Sequence, residues 1–134
     1  MRTTKRAATI LFLIALQVQG CAMMGTRGYE PPYGESAATY SGGALQATYP
    51  NTVFRTHDAA REALRDFNAT VTAARKDATG GILDARMPDG TLVAIDMQAK
   101  KPDITAVAIK VGTYGSEEVS RSISRRIEAN LQRR

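Results

Sequence analysis

At 134 residues, 43% hydrophobic and 23% charged, the chain has room for one small domain with one core. Its formal charge of +5 reflects 18 Lys and Arg against 13 Asp and Glu, but Arg2, Lys5 and Arg6 lie in residues 1–20, where no acidic residue occurs. The remainder carries 15 cations against 13 anions, about +2, so nucleic-acid binding, which concentrates Lys and Arg on one face, is not expected.

Residues 1–20 have the three-part form of an export signal. The basic segment leads into an apolar run at 7–16, and small residues follow at Gly20, Cys21 and Ala22. The run falls well short of the ~20 residues that span a bilayer, and no later segment approaches that length. Cys21 is the only cysteine, so an intramolecular disulfide is impossible and the domain relies on its core.

Val18-Gln19-Gly20-Cys21 resembles the lipobox of bacterial lipoprotein precursors. Gly20 and Cys21 match it; Val18 stands where Leu is usual and Gln19 where a small residue is usual. The resemblance implies cleavage before Cys21, diacylglycerol on its sulfur and an acyl chain on the new N-terminus, with no other cofactor. Each buried methylene contributes ~0.8 kcal/mol, so a three-chain head holds a protein on the membrane. Ala22, rather than Asp, after the cysteine implies the periplasmic face of the outer membrane, the inner membrane being the other lipid-anchored address. Two alternatives stay open: small-x-small cleavage around Gly20 and Ala22, releasing a soluble periplasmic protein, and an incidental free thiol.

Residues 21–42 are rich in Gly, Ser, Thr and Pro and lack a sustained apolar period, the composition of a flexible tether. Tyr29, Tyr33 and Tyr40 punctuate it, either tolerated or available to a partner. The domain is expected over residues 43–134. Leu45, Ala47 and Tyr49 alternate in a first strand. Pro50 and Asn51 then open a helix with Asn51 as N-cap, and Val53, His57, Ala60, Leu64 and Phe67 share one helical face. Asn68 ends it.

Residues 70–77 predict a strand with Val71 and Ala73 on one side. Residues 82–87 and 91–99 flank Pro88-Asp89-Gly90, a hairpin turn. In residues 104–111, Val107, Ile109 and Val111 face one way, matching Val93, Ile95 and Met97 in the strand before. Gly112 and Gly115 mark a tight exit around Tyr114, and Ser116 caps a closing helix with Glu117 and Glu118 in its first turn. Val119, Ile123, Ile127 and Leu131 step by four along that helix. The expected class is α+β: a two-layer sandwich with a mostly antiparallel sheet of about five strands, order β-α-β-β-β-β-α, and two helices on one face.

Val111-Gly112-Thr113-Tyr114-Gly115 and the Ser-Arg-x-Ile-x-x-x-Ile helix resemble a functionally uncharacterised family of short bacterial lipoproteins, most specifically over residues 107–127. Ser116 stands where that family's pattern has an acidic residue; either can cap a helix. The resemblance implies fold and location and leaves the chemistry open.

No catalytic constellation emerges. The lone histidine, His57, lies on an apolar helical stripe and reads as a partly buried, hydrogen-bonded residue filling an aromatic slot. Gly34-Glu35-Ser36-Ala37-Ala38 lacks the second glycine of a nucleophile elbow. One His and one Cys exclude the usual zinc sets, and residues 77–80 lack the alternating oxygens of a calcium loop. Glu117 and Glu118 sit where a phosphate cradled by Gly112 and Gly115 would lie, so those glycines read as turn geometry. Arg125, Arg126, Arg133 and Arg134 read as a solvated helix end, with anionic headgroups the alternative contact. The expected protein is therefore a membrane-anchored, non-catalytic envelope domain. It would contact a protein or polymer through its sheet edge or exposed strand face. The alternative is a carrier holding a small hydrophobic ligand where Ala60, Ala63, Ala94, Ala106 and Ala108 leave room.

Overall fold

Alternation along the strands separates a buried from a solvated sheet face, and both helices cover the buried one. The computed structural model describes residues 38–133, in the order β1 (Ala38–Ser41), β2 (Ala44–Tyr49), α1 (Val53–Asp66), β3 (Thr70–Lys76), β4 (Gly80–Arg86), β5 (Leu92–Lys101), β6 (Ile104–Val111) and α2 (Glu117–Gln132). All neighbouring strands are antiparallel, in the sheet order β1-β2-β6-β5-β4-β3. This is an α+β sandwich, with six strands rather than about five. The added strand, β1, falls inside the stretch whose composition reads as tether. Its sequence ATYS is too short to show a period, and it owes its conformation to pairing with β2 across the Gly42-Gly43 turn.

The core follows from cross-strand register. Leu45 pairs with Ile109, Ile109 with Ile95 and Ile95 with Leu83, and all four are fully buried. Ala59, Ala60, Ala63 and Leu64 of α1 and Ile123, Ile127 and Leu131 of α2 close the other side of that core. Burying a Leu or Ile contributes about 1.5–3 kcal/mol each, so this central row dominates stability. Polar contacts help set the helices: Asn130 Nδ2 donates to the Ala59 carbonyl at 3.1 Å, and the Tyr49 and Ser124 hydroxyls meet at 2.7 Å.

Local detail departs from the sequence reading in two places. The N-cap of α1 is Thr52, not Asn51: the Thr52 hydroxyl accepts from the Arg55 amide at 3.3 Å. Asn51 is occupied otherwise, its amide donating to Tyr49 O at 2.8 Å and its carbonyl accepting from Thr105 Oγ1 at 2.8 Å. In β3 a bulge between Val71 and Ala73 breaks the alternation, so Val71 pairs with buried Ala85 while Ala73 pairs with Asp84 on the opposite face. Thr72 Oγ1 bonds Asp84 O at 3.2 Å across the irregularity. The end of α1 is a Schellman motif with Asn68 at φ 57°, where Asn68 N reaches Arg65 O and Ala69 N reaches Leu64 O.

Candidate functional site

Val111 is the last inward-facing residue of β6, and the chain must then turn sharply to enter α2. Gly112 does so at φ 75°, its amide donating to Leu92 O at 2.7 Å. Gly115 follows at φ 85°, a backbone conformation that costs other L-residues roughly 1–2 kcal/mol. Space also selects Gly115: a Cβ there would run into the Gly43 carbonyl oxygen and the Tyr40 hydroxyl. The Tyr114 carbonyl in turn lies 3.1 Å from where a Gly43 Cβ would sit, so two glycine turns pack backbone against backbone.

At the tip of the clamped loop Thr113 and Tyr114 are both exposed. Tyr114 is 93% exposed, the most exposed large apolar residue among those described, and Leu92, joined to the same loop through Gly112, is 58% exposed. Behind the loop, Ser116 Oγ accepts from Val119 N at 3.4 Å as the N-cap of α2. Glu117 holds Arg121 at 2.8 Å, and Arg121 Nη1 reaches Ala38 O at 3.5 Å, tying α2 to β1. Gly112, Tyr114, Gly115 and Ser116 thus form one rigid corner, joined by Tyr40 and Gly43. Sequence reasoning missed those two partners because they sit in or beside a stretch that reads as tether.

Other candidates resolve into structure. His57 is 2% exposed, and its Nε2–H donates to Ile82 O at 3.3 Å. Gly81 clears room for the ring, since a Cβ there would approach His57 Cδ2 to 3.3 Å. Nδ1 has no hydrogen-bond partner, and Asp58, 3.9 Å away, is engaged by Lys76 at 2.5 Å. Burial lowers the His57 pKa, against the opposing hydrogen bond to Ile82 O, so the ring is neutral near pH 7. Asp77 folds back on its own turn, accepting from Thr79 N, Thr79 Oγ1 and Gly80 N; the bond from the Thr79 hydroxyl leads in holding its carboxyl below the usual range. Beside it an open groove of about 720 Å³ is lined by Arg75, Lys76, Gly80, Gly81 and Asp96 among others, a surface of mixed charge.

The five alanines of the carrier reading do not bound one space. Ala60 and Ala63 are buried under α1, whereas Ala94, Ala106 and Ala108 alternate with the buried Val93, Ile95, Val107 and Ile109 and so lie on the solvated face. At the C-terminal end Arg126 pairs with Asp66 at 3.4 Å, Arg125 bonds Ser122 Oγ at 3.2 Å and Arg133 bonds Asn130. Val18, Gln19, Gly20, Cys21 and Arg134 lie outside the described residues. Among the described residues no helix is long and apolar enough to cross a membrane, and no group of three or more His, Cys, Asp or Glu gathers as a metal site.

No curated protein matches the chain. A family model described as "Protein of unknown function (DUF3568)" matches residues 6–130, which include both the N-terminal apolar run and nearly all of the sandwich. With that span covered, the chain belongs to the DUF3568 family.

Proposed function

We propose that this protein is a lipid-anchored envelope domain, held by Cys21 at the periplasmic face of the outer membrane, that works by contact rather than by catalysis. The observation that carries the reading is the position of the sole cysteine. It follows Gly20 at the end of a signal-like run, 17 positions before the first described strand at Ala38. The geometry of the domain supports a contact role. The most exposed large apolar side chain among the described residues, Tyr114, sits on a loop whose backbone is clamped against Gly43. Among the described residues, His57 is buried and the Asp77 and Asp89 carboxylates accept hydrogen bonds within their own turns. A carrier role draws no support from the placement of the alanines.

The test is the intact mass of membrane-extracted protein beside Cys21→Ala. The wild type is expected to carry diacylglycerol and an N-acyl chain in the membrane fraction, and the variant neither. Unacylated wild type in the soluble periplasmic fraction would sink the anchor.

A further inference from the structure

We infer that the loop at residues 112–115 is a membrane-interface finger: Tyr114, with Leu92 at the same end of the sheet, enters the headgroup region of the bilayer that holds the lipid anchor. Among the described residues three large apolar side chains are notably exposed, and they divide between the two ends of the sheet. Phe54 follows the C-terminal end of β2 and has the Lys76 ammonium 5.7 Å above its ring. Tyr114 and Leu92 share the other end, where Gly43 opens β2 and Gly112 N meets Leu92 O. Tyr114 is not a residue awaiting a place in the core. Gly115 packs closely against Gly43 and Tyr40, which holds the backbone of the loop that carries the ring.

A tyrosine suits the boundary between headgroups and acyl chains, because its ring is apolar and its hydroxyl stays hydrated. The surrounding charge does not call for a highly anionic bilayer: exposed Lys110 and Arg86 on the adjoining strands are offset by exposed Glu117 and Glu118. Reach is ample. Residues 22–37 lie between Cys21 and Ala38, and a chain of that length spans up to about 55 Å when extended. The four residues of β1 then lead directly to the Gly42-Gly43 turn against which the finger is clamped. One tyrosine and one leucine bind a free surface weakly. For a domain already tethered the second contact is intramolecular, and a weak contact suffices to orient it. The inference rests on the lipid-anchored reading.

The chain has no tryptophan, so Tyr114→Trp introduces a single reporter at the fingertip, and Phe54→Trp one at the opposite end. The full-length acylated proteins would be reconstituted into phosphatidylethanolamine–phosphatidylglycerol vesicles containing brominated lipid. Tyr114→Trp is expected to show blue-shifted emission and several-fold stronger quenching than Phe54→Trp, with little dependence on salt. Solvated, unquenched emission from Tyr114→Trp in vesicle-bound protein overturns the finger while leaving the anchor standing. Equal quenching at both ends also overturns it, since the domain then has no preferred orientation. A shift that arises only when envelope proteins are added assigns the loop to a protein partner and overturns the membrane assignment. Absence of acyl mass sinks the anchor and with it the finger, since so weak a contact orients only a tethered domain, whereas solvated emission from acylated protein overturns the finger alone.

Discussion

Gly112 and Gly115 share a backbone hand but not an environment, and substitution separates the two. A Cβ on Gly112 meets nothing nearer than Thr91 Cγ2 at 3.6 Å, so Gly112→Ala carries only the cost of positive φ, about 1–2 kcal/mol. Gly115→Ala adds a collision with Gly43 and Tyr40, and is expected to cost about 3 kcal/mol or more and to loosen β1. Urea midpoints and amide exchange in residues 38–47 check both. His57 supplies the pH dependence. Its folded-state pKa is lowered, chiefly by burial, with Lys76 and Arg61 lowering it further while the Ile82 carbonyl bond and Asp58 oppose. The unfolded chain therefore binds the proton more readily. The contribution to stability is complete above the ordinary value of 6.5 and is lost as pH falls below it toward the lowered folded value. Unfolding measured between about pH 8 and pH 5 should show that decline, flattened in His57→Gln, which keeps a donor for Ile82 O. That His57 belongs to the α1 stripe was legible from spacing; that Gly81 makes its slot was not, because the two meet only where α1 packs on β4.

Among the elements, β6 and α2 were the most legible. Strict alternation defines residues 104–111, and a serine followed by two glutamates marks the start of α2. Ser116→Ala is expected to cost about 1 kcal/mol, and Ser116→Asp to recover it, since a carboxylate caps the helix and suits its positive end. Thermal melts of the two variants test this. The caps of α1 were half legible. Asn51 and Thr52 are both capping residues, and the choice fell to Thr52 because the Asn51 backbone is drawn toward Tyr49 and Thr105. β3 was misread for a related reason. A bulge leaves no mark on the one-dimensional pattern of TVTAARK, and it becomes definite only when Asp84 of the neighbouring strand fixes the register.

For the whole molecule, stability rests on the central row Leu45–Ile109–Ile95–Leu83, where each residue is fully buried and paired with the next. Ile109→Ala should cost about 2–5 kcal/mol, and adding Ile95→Ala should deviate from additivity because the two share one space. Denaturant titrations of the singles and the double measure both. The sequence by itself determined the class of fold: periods of two and of 3.6 residues place apolar side chains on one face of each element, and such faces must be buried against one another. It also located the corner at residues 112–116, because closely spaced glycines around an aromatic and a cap are local chemistry. Only the tertiary structure decided the strand order, in which α1 carries the chain to the far edge and β6 returns beside β2. Only it recruited β1 from a stretch that reads as tether, and only it locked Gly115 against Gly43 beside the exposed Tyr114. The reason is common to all three: long-range contacts form between residues that carry no mark of each other, and the free energy that selects them exists only once the faces meet.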